Sequence, residues 1–314
     1  MTTAEPSLWA RIIDAENGIY GSHEGHRSVH SKGTLCAGTF TATSVASKLT
    51  RAPHLQGDPI RTHVRFSNAG GDPTKRDGTN EPRGMAVKFY LPDGSTTDIS
   101  AATIPVFVAR TPEDVLELAL ARQPDPETGQ PDLGKIGTYL ESHPEAVPAV
   151  EAAMLAQPPA SFLQCSYFAL HAFKLVAADG SERWVRYRWE PDAGEAWLDH
   201  AEAKQRDPDY LRADLEERLG RGRQGFRLWA EIAEEDDPVD DPTVRWPDER
   251  EKVELGHLEI VALAFDREQD GDVLVFDPTR VPDGIKLSND LILHARPHAY
   301  AESVYRRTGV RRDA

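Results

Sequence analysis

Eight stretches of this chain alternate apolar with polar residues, or run apolar, over strand lengths. They cover residues 35–42, 62–67, 85–91, 104–109, 168–176, 183–190, 226–233 and 258–265. The fourth is a short apolar run. Between the fifth and sixth lies Ala178-Asp179-Gly180, an Asp-Gly signal for a tight hairpin. In the seventh, Phe226, Leu228, Ala230 and Ile232 fall on one face. Eight such segments predict a closed or nearly closed antiparallel barrel. No internal repeat is visible.

A different periodicity fills the gaps. Residues 112–121 carry Glu113 and Asp114 early, where a helix N-terminus favours acids. Residues 136–155 read as two short helices interrupted near His143-Pro144. Residues 209–219 align Leu211, Leu215 and Leu219 on one stripe. A final helix is expected over 288–307, with Pro297 kinking or starting it. Residues 237–246, rich in Pro and Asp, read as a long surface loop. The whole predicts an α+β chain, an eight-stranded antiparallel barrel with surrounding helices. No interdomain linker is apparent, so residues 1–314 are read as a single domain.

Composition narrows the function classes. The chain has 36 Lys and Arg against 52 Asp and Glu, a formal net charge of −16. Such a surface is poorly suited to nucleic acid or anionic membranes. The acidic runs 234–237 and 240–241 read as solvated loops. Cys36 and Cys165 form no CxxC pair and are expected to be buried free thiols. Residues 1–6 show no basic region leading into an apolar core, which argues against a signal peptide. No apolar run reaches the ~18 residues of a membrane span. A cytoplasmic location is expected.

Candidate chemistry begins near the C-terminus. Arg296 and Tyr300 are four apart, so on a helix they are neighbours. A guanidinium beside a phenol favours the phenolate, and tyrosine is one of the axial ligands proteins offer to haem iron. Taken alone, the pair fits surface packing equally well. His23, His26 and His30 are spaced three and four apart, which on one helix face could hold zinc. Gly21, Gly25 and the serines around them argue against that helix.

Further motifs give the pair its weight. Arg27-Ser28-Val29-His30-Ser31-Lys32-Gly33 comes first, then Val64-Arg65-Phe66-Ser67-Asn68 and Glu81-Pro82-Arg83-Gly84-Met85. His171-Ala172-Phe173-Lys174-Leu175-Val176, Asp207-Pro208-Asp209-Tyr210, Trp246-Pro247 and Ala264-Phe265-Asp266 follow. Phe276-Asp277-Pro278 through Gly284-Ile285 closes the series before Arg296 and Tyr300. In this order, across residues 17–309, the chain resembles the haem catalase family, and in particular its short catalase-related peroxidase branch.

The resemblance implies a cofactor, haem b, and a set of roles. Tyr300 would be the axial iron ligand and Arg296 its hydrogen-bond partner. His30 would be the acid–base residue on the opposite, distal side, oriented by Ser67, with Val29 beside it against the haem. Imidazole suits this work because it titrates near neutrality. Arg27, Arg65 and Arg307 would grip the haem carboxylates, for which guanidinium forks are well shaped. His171 matches a histidine on the Tyr300 side, although a core histidine is an equal reading.

Three departures from the family pattern shape the activity expected. Catalases place an Asn-Asn-Thr-Pro run beside the peroxide. Here the counterpart is Ala101-Ala102-Thr103-Ile104-Pro105, so Ala102 stands at the carboxamide position with Thr103 next to it. The loss weighs against efficient disproportionation and leaves peroxide reduction intact. The long arms of large catalases have no counterpart, which implies a more open haem and a homodimer. Where NADPH-binding relatives carry His-x-Lys, this chain has Arg188-Trp189-Glu190, which argues against NADPH.

The expected activity is a haem peroxidase that reduces organic hydroperoxides, and hydrogen peroxide, with a small organic donor. A true catalase, with Thr103 acting through a water, is the nearest alternative. Allene oxide formation from fatty-acid hydroperoxides is disfavoured, because that branch places Thr where Val29 stands. A non-catalytic haem carrier or sensor is the alternative from another class.

Overall fold

A computed structural model describes residues 5–265 and 273–310. Its strands are β1 Gly33–Ala42, β2 Ile60–Asn68, β3 Arg83–Tyr90, β4 Thr96–Ala102, β5 Tyr167–Phe168, β6 Phe173–Val176, β7 Glu182–Pro191, β8 Gln224–Ile232, β9 Lys252–Leu263 and β10 Ile285–Leu287. Its helices are α1 Leu8–Tyr20, α2 Ala46–Leu49, α3 Pro112–Ala121, α4 Leu133–Ser142, α5 Val147–Met154, α6 His200–Gln205, α7 Tyr210–Arg221 and α8 Leu291–Thr308. Among the described residues no helix is long and apolar enough to cross a membrane.

Strands β1 to β4 form an antiparallel meander, and β4 passes through β5 to β7. β7 pairs β8, β8 pairs β9 and β9 returns to β1, which closes the barrel. β5 and β6 share one edge of β7, so the eight-stranded ring contains one broken strand. β10 adds to β6 outside the ring. The interior is aromatic: Phe40, Phe66, Phe89, Trp189 and Phe226 are fully buried. Phe40 meets Phe89 edge-on with centroids 5.3 Å apart, a favoured geometry for ring quadrupoles. Cys36 and Cys165 are free and buried in this core.

The departures from the predicted elements have physical causes. Residues 104–109 form no strand; Pro105 lacks an N–H for a ladder, and the chain leaves the barrel there. The strand in that part of the ring is β4, whose Thr-Thr-Asp-Ile-Ser pattern hides its burial. Asp98 on it is buried because Lys88 pairs with it at 2.6 Å and the segment after residue 273 covers it. The strand expected over 168–176 breaks at residues 169–172. α8 runs straight through Pro297 rather than starting there. α1 went unpredicted; Ser7 caps it, and Ile12 and Ala15 bury against Leu116 and Ala119 of α3. The 237–246 loop is irregular as expected, but Thr243 and Trp246 within it are buried. Of the Ala264-Phe265-Asp266 motif, Asp266 lies outside the described residues.

Candidate active site

α8 begins at a carboxylate with two tasks. Asp290 Oδ1 accepts from the backbone N–H groups of Ile292 and Leu293, capping the helix. Its Oδ2 accepts from His171 Nδ1 at 2.6 Å. His171 is 2% exposed and sits in the break between β5 and β6, where the chain is freed from the ladder. Burial, and then the Arg296 charge, push the imidazole down to about 4, so it is neutral at physiological pH. With its proton on Nδ1, Nε2 accepts from Arg296 Nε at 2.7 Å. Arg296 Nη1 in turn donates to the Tyr300 hydroxyl at 2.9 Å. A chain of four side chains, Asp290–His171–Arg296–Tyr300, therefore fixes the phenol. Guanidinium nitrogens only donate, so the phenol oxygen is the acceptor in that bond and keeps a lone pair for a metal.

His30 lies on the loop that enters β1. Its Nδ1 is 3.0 Å from Ser67 Oγ at the end of β2. Burial, then the charges of Arg65, Arg27 and Arg296, push its imidazole down to about 3. Arg296 is among the charges that act on this imidazole. Val29 on this loop, and Ala101, Ala102, Ile104 and Phe107 at and after the end of β4, are half-buried and apolar, and Ala102 stands opposite Gly84. Arg296 lies over the Phe107 ring at 5.9 Å. Gly84 makes room for the histidine, because a Cβ there would stand 2.9 Å from its ring.

Arg27 donates to the Leu274 carbonyl at 2.9 Å, and Arg65 to the carbonyls of His30 and Ser31. Arg307, in the last turn of α8, donates to the Ser303 carbonyl. The Thr103 hydroxyl oxygen accepts from the Arg83 backbone N–H at 3.0 Å. The three-histidine zinc reading fails, because His23 binds the Tyr20 carbonyl and the stretch is not helical. No group of three ligating side chains is found among the described residues. Arg188 pairs with Glu190 at 3.2 Å and stacks over Phe168.

The donor set fits a haem. Three guanidinium charges act on His30. That field suits a planar dianion, and the phenol oxygen of Tyr300 suits its iron. Sequence reasoning missed Asp290, Gly84 and the His171–Arg296 bond. An Asp immediately before the α8 apolar run was the available signal for the first. The others depend on tertiary approach.

Comparison with known proteins gives the same direction. The family model described as Catalase matches residues 23–313. A catalase-related peroxidase of Mycolicibacterium paratuberculosis is 44% identical over 305 residues, covering 97% of this chain and 96% of that protein. One from Synechococcus elongatus is 35% identical, covering 95% of this chain and 88% of that protein. Catalase-2 of Bacillus subtilis is 29% identical, and the match spans 47% of it. A fungal catalase structure superposes with a TM-score of 0.82 at 24% identity, over 92% of this chain and 61% of that one.

Proposed function

The chain belongs to the catalase family, and from that premise we propose that it is a haem peroxidase, reducing organic hydroperoxides and hydrogen peroxide with electrons from a small organic donor. The observation that carries the reading is a neutral His30 held by Ser67, together with an arginine-bound phenol at Tyr300. We read the cofactor as haem b, held without a thioether bond, because both cysteines are buried in the barrel core. Tyr300 would supply the iron's protein ligand, and Arg27, Arg65 and Arg307 the partners of the carboxylates. When bound, the iron supplies the electrons that split a peroxide O–O bond.

The chain's own residues manage the protons. Ser67 engages Nδ1 of His30, leaving Nε2 as the base toward the cavity. That nitrogen takes the proton of the hydroperoxide and returns it to the oxygen that leaves as alcohol or water. Arg296 fixes the phenol through its bonds to Tyr300 and His171. Ala102 offers no carboxamide beside the peroxide, which favours reduction over disproportionation.

The buried free thiols suit a reducing, cytoplasmic compartment. Met154 and Leu155, at 71% and 79% exposure, offer an apolar contact for a homodimer, which sedimentation would reveal.

His30→Gln should lower the rate of dye oxidation with cumene hydroperoxide by about 10²–10⁴-fold, the usual contribution of a general acid–base group. Oxygen evolution by wild type should be minor beside dye oxidation. A His30→Gln enzyme with the wild-type rate would refute the assignment.

A further inference from the structure

His30 is the one non-glycine residue at positive φ among the described residues, at +53°. Side chains of L-residues crowd the backbone in this left-handed region, so the surrounding structure has to impose it. On the amide side the loop is fixed by sheet-like bonds: His30 N–H donates to the Ala69 carbonyl at 3.0 Å and Ser31 N–H to that of Gly70 at 3.2 Å. On the carbonyl side the holding group is a guanidinium. Arg65 Nη1 donates to His30 O at 2.9 Å, and Nη2 to Ser31 O at 3.3 Å.

The setting of that guanidinium is tight. Arg65 is 3% exposed and stands opposite Leu35 of β1 and Ala86 of β3. The chain turns into β1 at Gly33, where a Cβ would lie 2.6 Å from Arg65 Cζ and Nη2. Only a glycine lets the loop pass so close. Successive carbonyls can converge on one planar fork because the left-handed turn at His30 brings them to the same side.

We propose that Arg65 is a positioning residue for His30: its fork holds the two carbonyls and thereby the left-handed turn that aims the imidazole at Ser67 and the cavity. This rests on the reading of His30 as the acid–base group. It gives Arg65 a task separate from any grip on a haem carboxylate, and one that lysine cannot perform, since an ammonium keeps the charge without the planar fork.

The test separates the two tasks by working first on haem-free protein. In Arg65→Lys, the His30 Cα shift and amide–Hα coupling, assigned by difference against His30→Gln, should leave left-handed values or broaden. After haem loading, uptake should stay within a few-fold of wild type. kcat for cumene hydroperoxide should fall about 100-fold, as expected for a misaimed catalytic group. Unchanged His30 backbone signals in haem-free Arg65→Lys would overturn the proposal, whatever the activity.

Should that variant not fold, haem-free wild type decides. Slow rotation about the Arg65 guanidinium bonds supports the clamp, and free rotation refutes it. A fully active His30→Gln would refute the acid–base reading alone, leaving the backbone measurement to stand.

Discussion

Burial keeps His30 and His171 neutral at physiological pH. His30 is pushed down by burial and by three arginines. Its protonation as the free enzyme's base should therefore place the acid limb of kcat/KM below the range of an ordinary histidine. A pH profile with cumene hydroperoxide checks this, and a limb at pH 6–7 would contradict it. His54 isolates the stability side of the same physics. It is 2% exposed, packs on Phe89 and is pushed down to about 3 by burial alone. The unfolded chain takes up a proton near pH 6.5, and the folded one only near pH 3. Stability from this site is thus complete above pH 6.5 and is lost as pH falls, by about 1.4 kcal/mol per unit. His54→Leu should flatten the fall between pH 6 and 4 by about that slope in urea denaturation. At the residue scale the sequence named His30, Ser67, Arg296 and Tyr300 through motifs. It could not show the left-handed backbone of His30 or the room that Gly84 leaves, because both arise from approach between distant segments.

Helix α8 and the broken strand β5–β6 show how an element can serve a site. Asp290 caps α8 with one oxygen and holds His171 with the other, so helix start and proximal hydrogen-bond chain are one feature. Two substitutions separate these tasks. Asp290→Asn keeps a good cap, so its loss of stability, on the order of 1–3 kcal/mol, comes from the buried bond to His171. It removes the charged acceptor of His171, and the haem-loaded absorption spectrum should shift through Arg296 and Tyr300. Asp290→Ala should lose about 1 kcal/mol from the cap alone, with the same spectral change. An Asp290→Asn spectrum identical to wild type would mean that His171 is held by packing. The periodicity located seven of the eight ring segments and, of the helices of eight or more described residues, all but α1, because one buried face imposes its period on the sequence. It missed β4, whose outer residue Asp98 is buried by a covering segment. It ran β5 and β6 together, because the break that frees His171 leaves the apolar pattern intact. α1 packs on a satellite cluster away from the barrel, through Ile12 and Ala15.

Over the whole molecule, long irregular segments are pinned to the barrel by charged side chains that burial has made costly. Lys88 and Asp98 pair at 2.6 Å under the segment that holds Asp277 and Arg280. On the other side Arg186, 5% exposed, donates to the carbonyls of Val244, Pro238 and Asp241 and lies 4.5 Å from the Trp246 ring. Burial lowers its pKa to about 10, so it remains a cation at neutral pH. Outside a ladder these loop carbonyls need other partners, and this guanidinium meets three of them at once. Removing it should cost on the order of 3 kcal/mol, since carbonyls are left dry and unpaired. Arg186→Leu should show that loss in urea denaturation, with amides of residues 237–248 exchanging faster than the barrel strands. Arg186→Lys should fall between, keeping charge but not the fork. If Arg186→Leu stayed within about 0.5 kcal/mol of wild type with the loop still protected, Trp246 packing would be what holds it. The guanidinium would then be a satisfied passenger, as replaced buried charges sometimes prove to be.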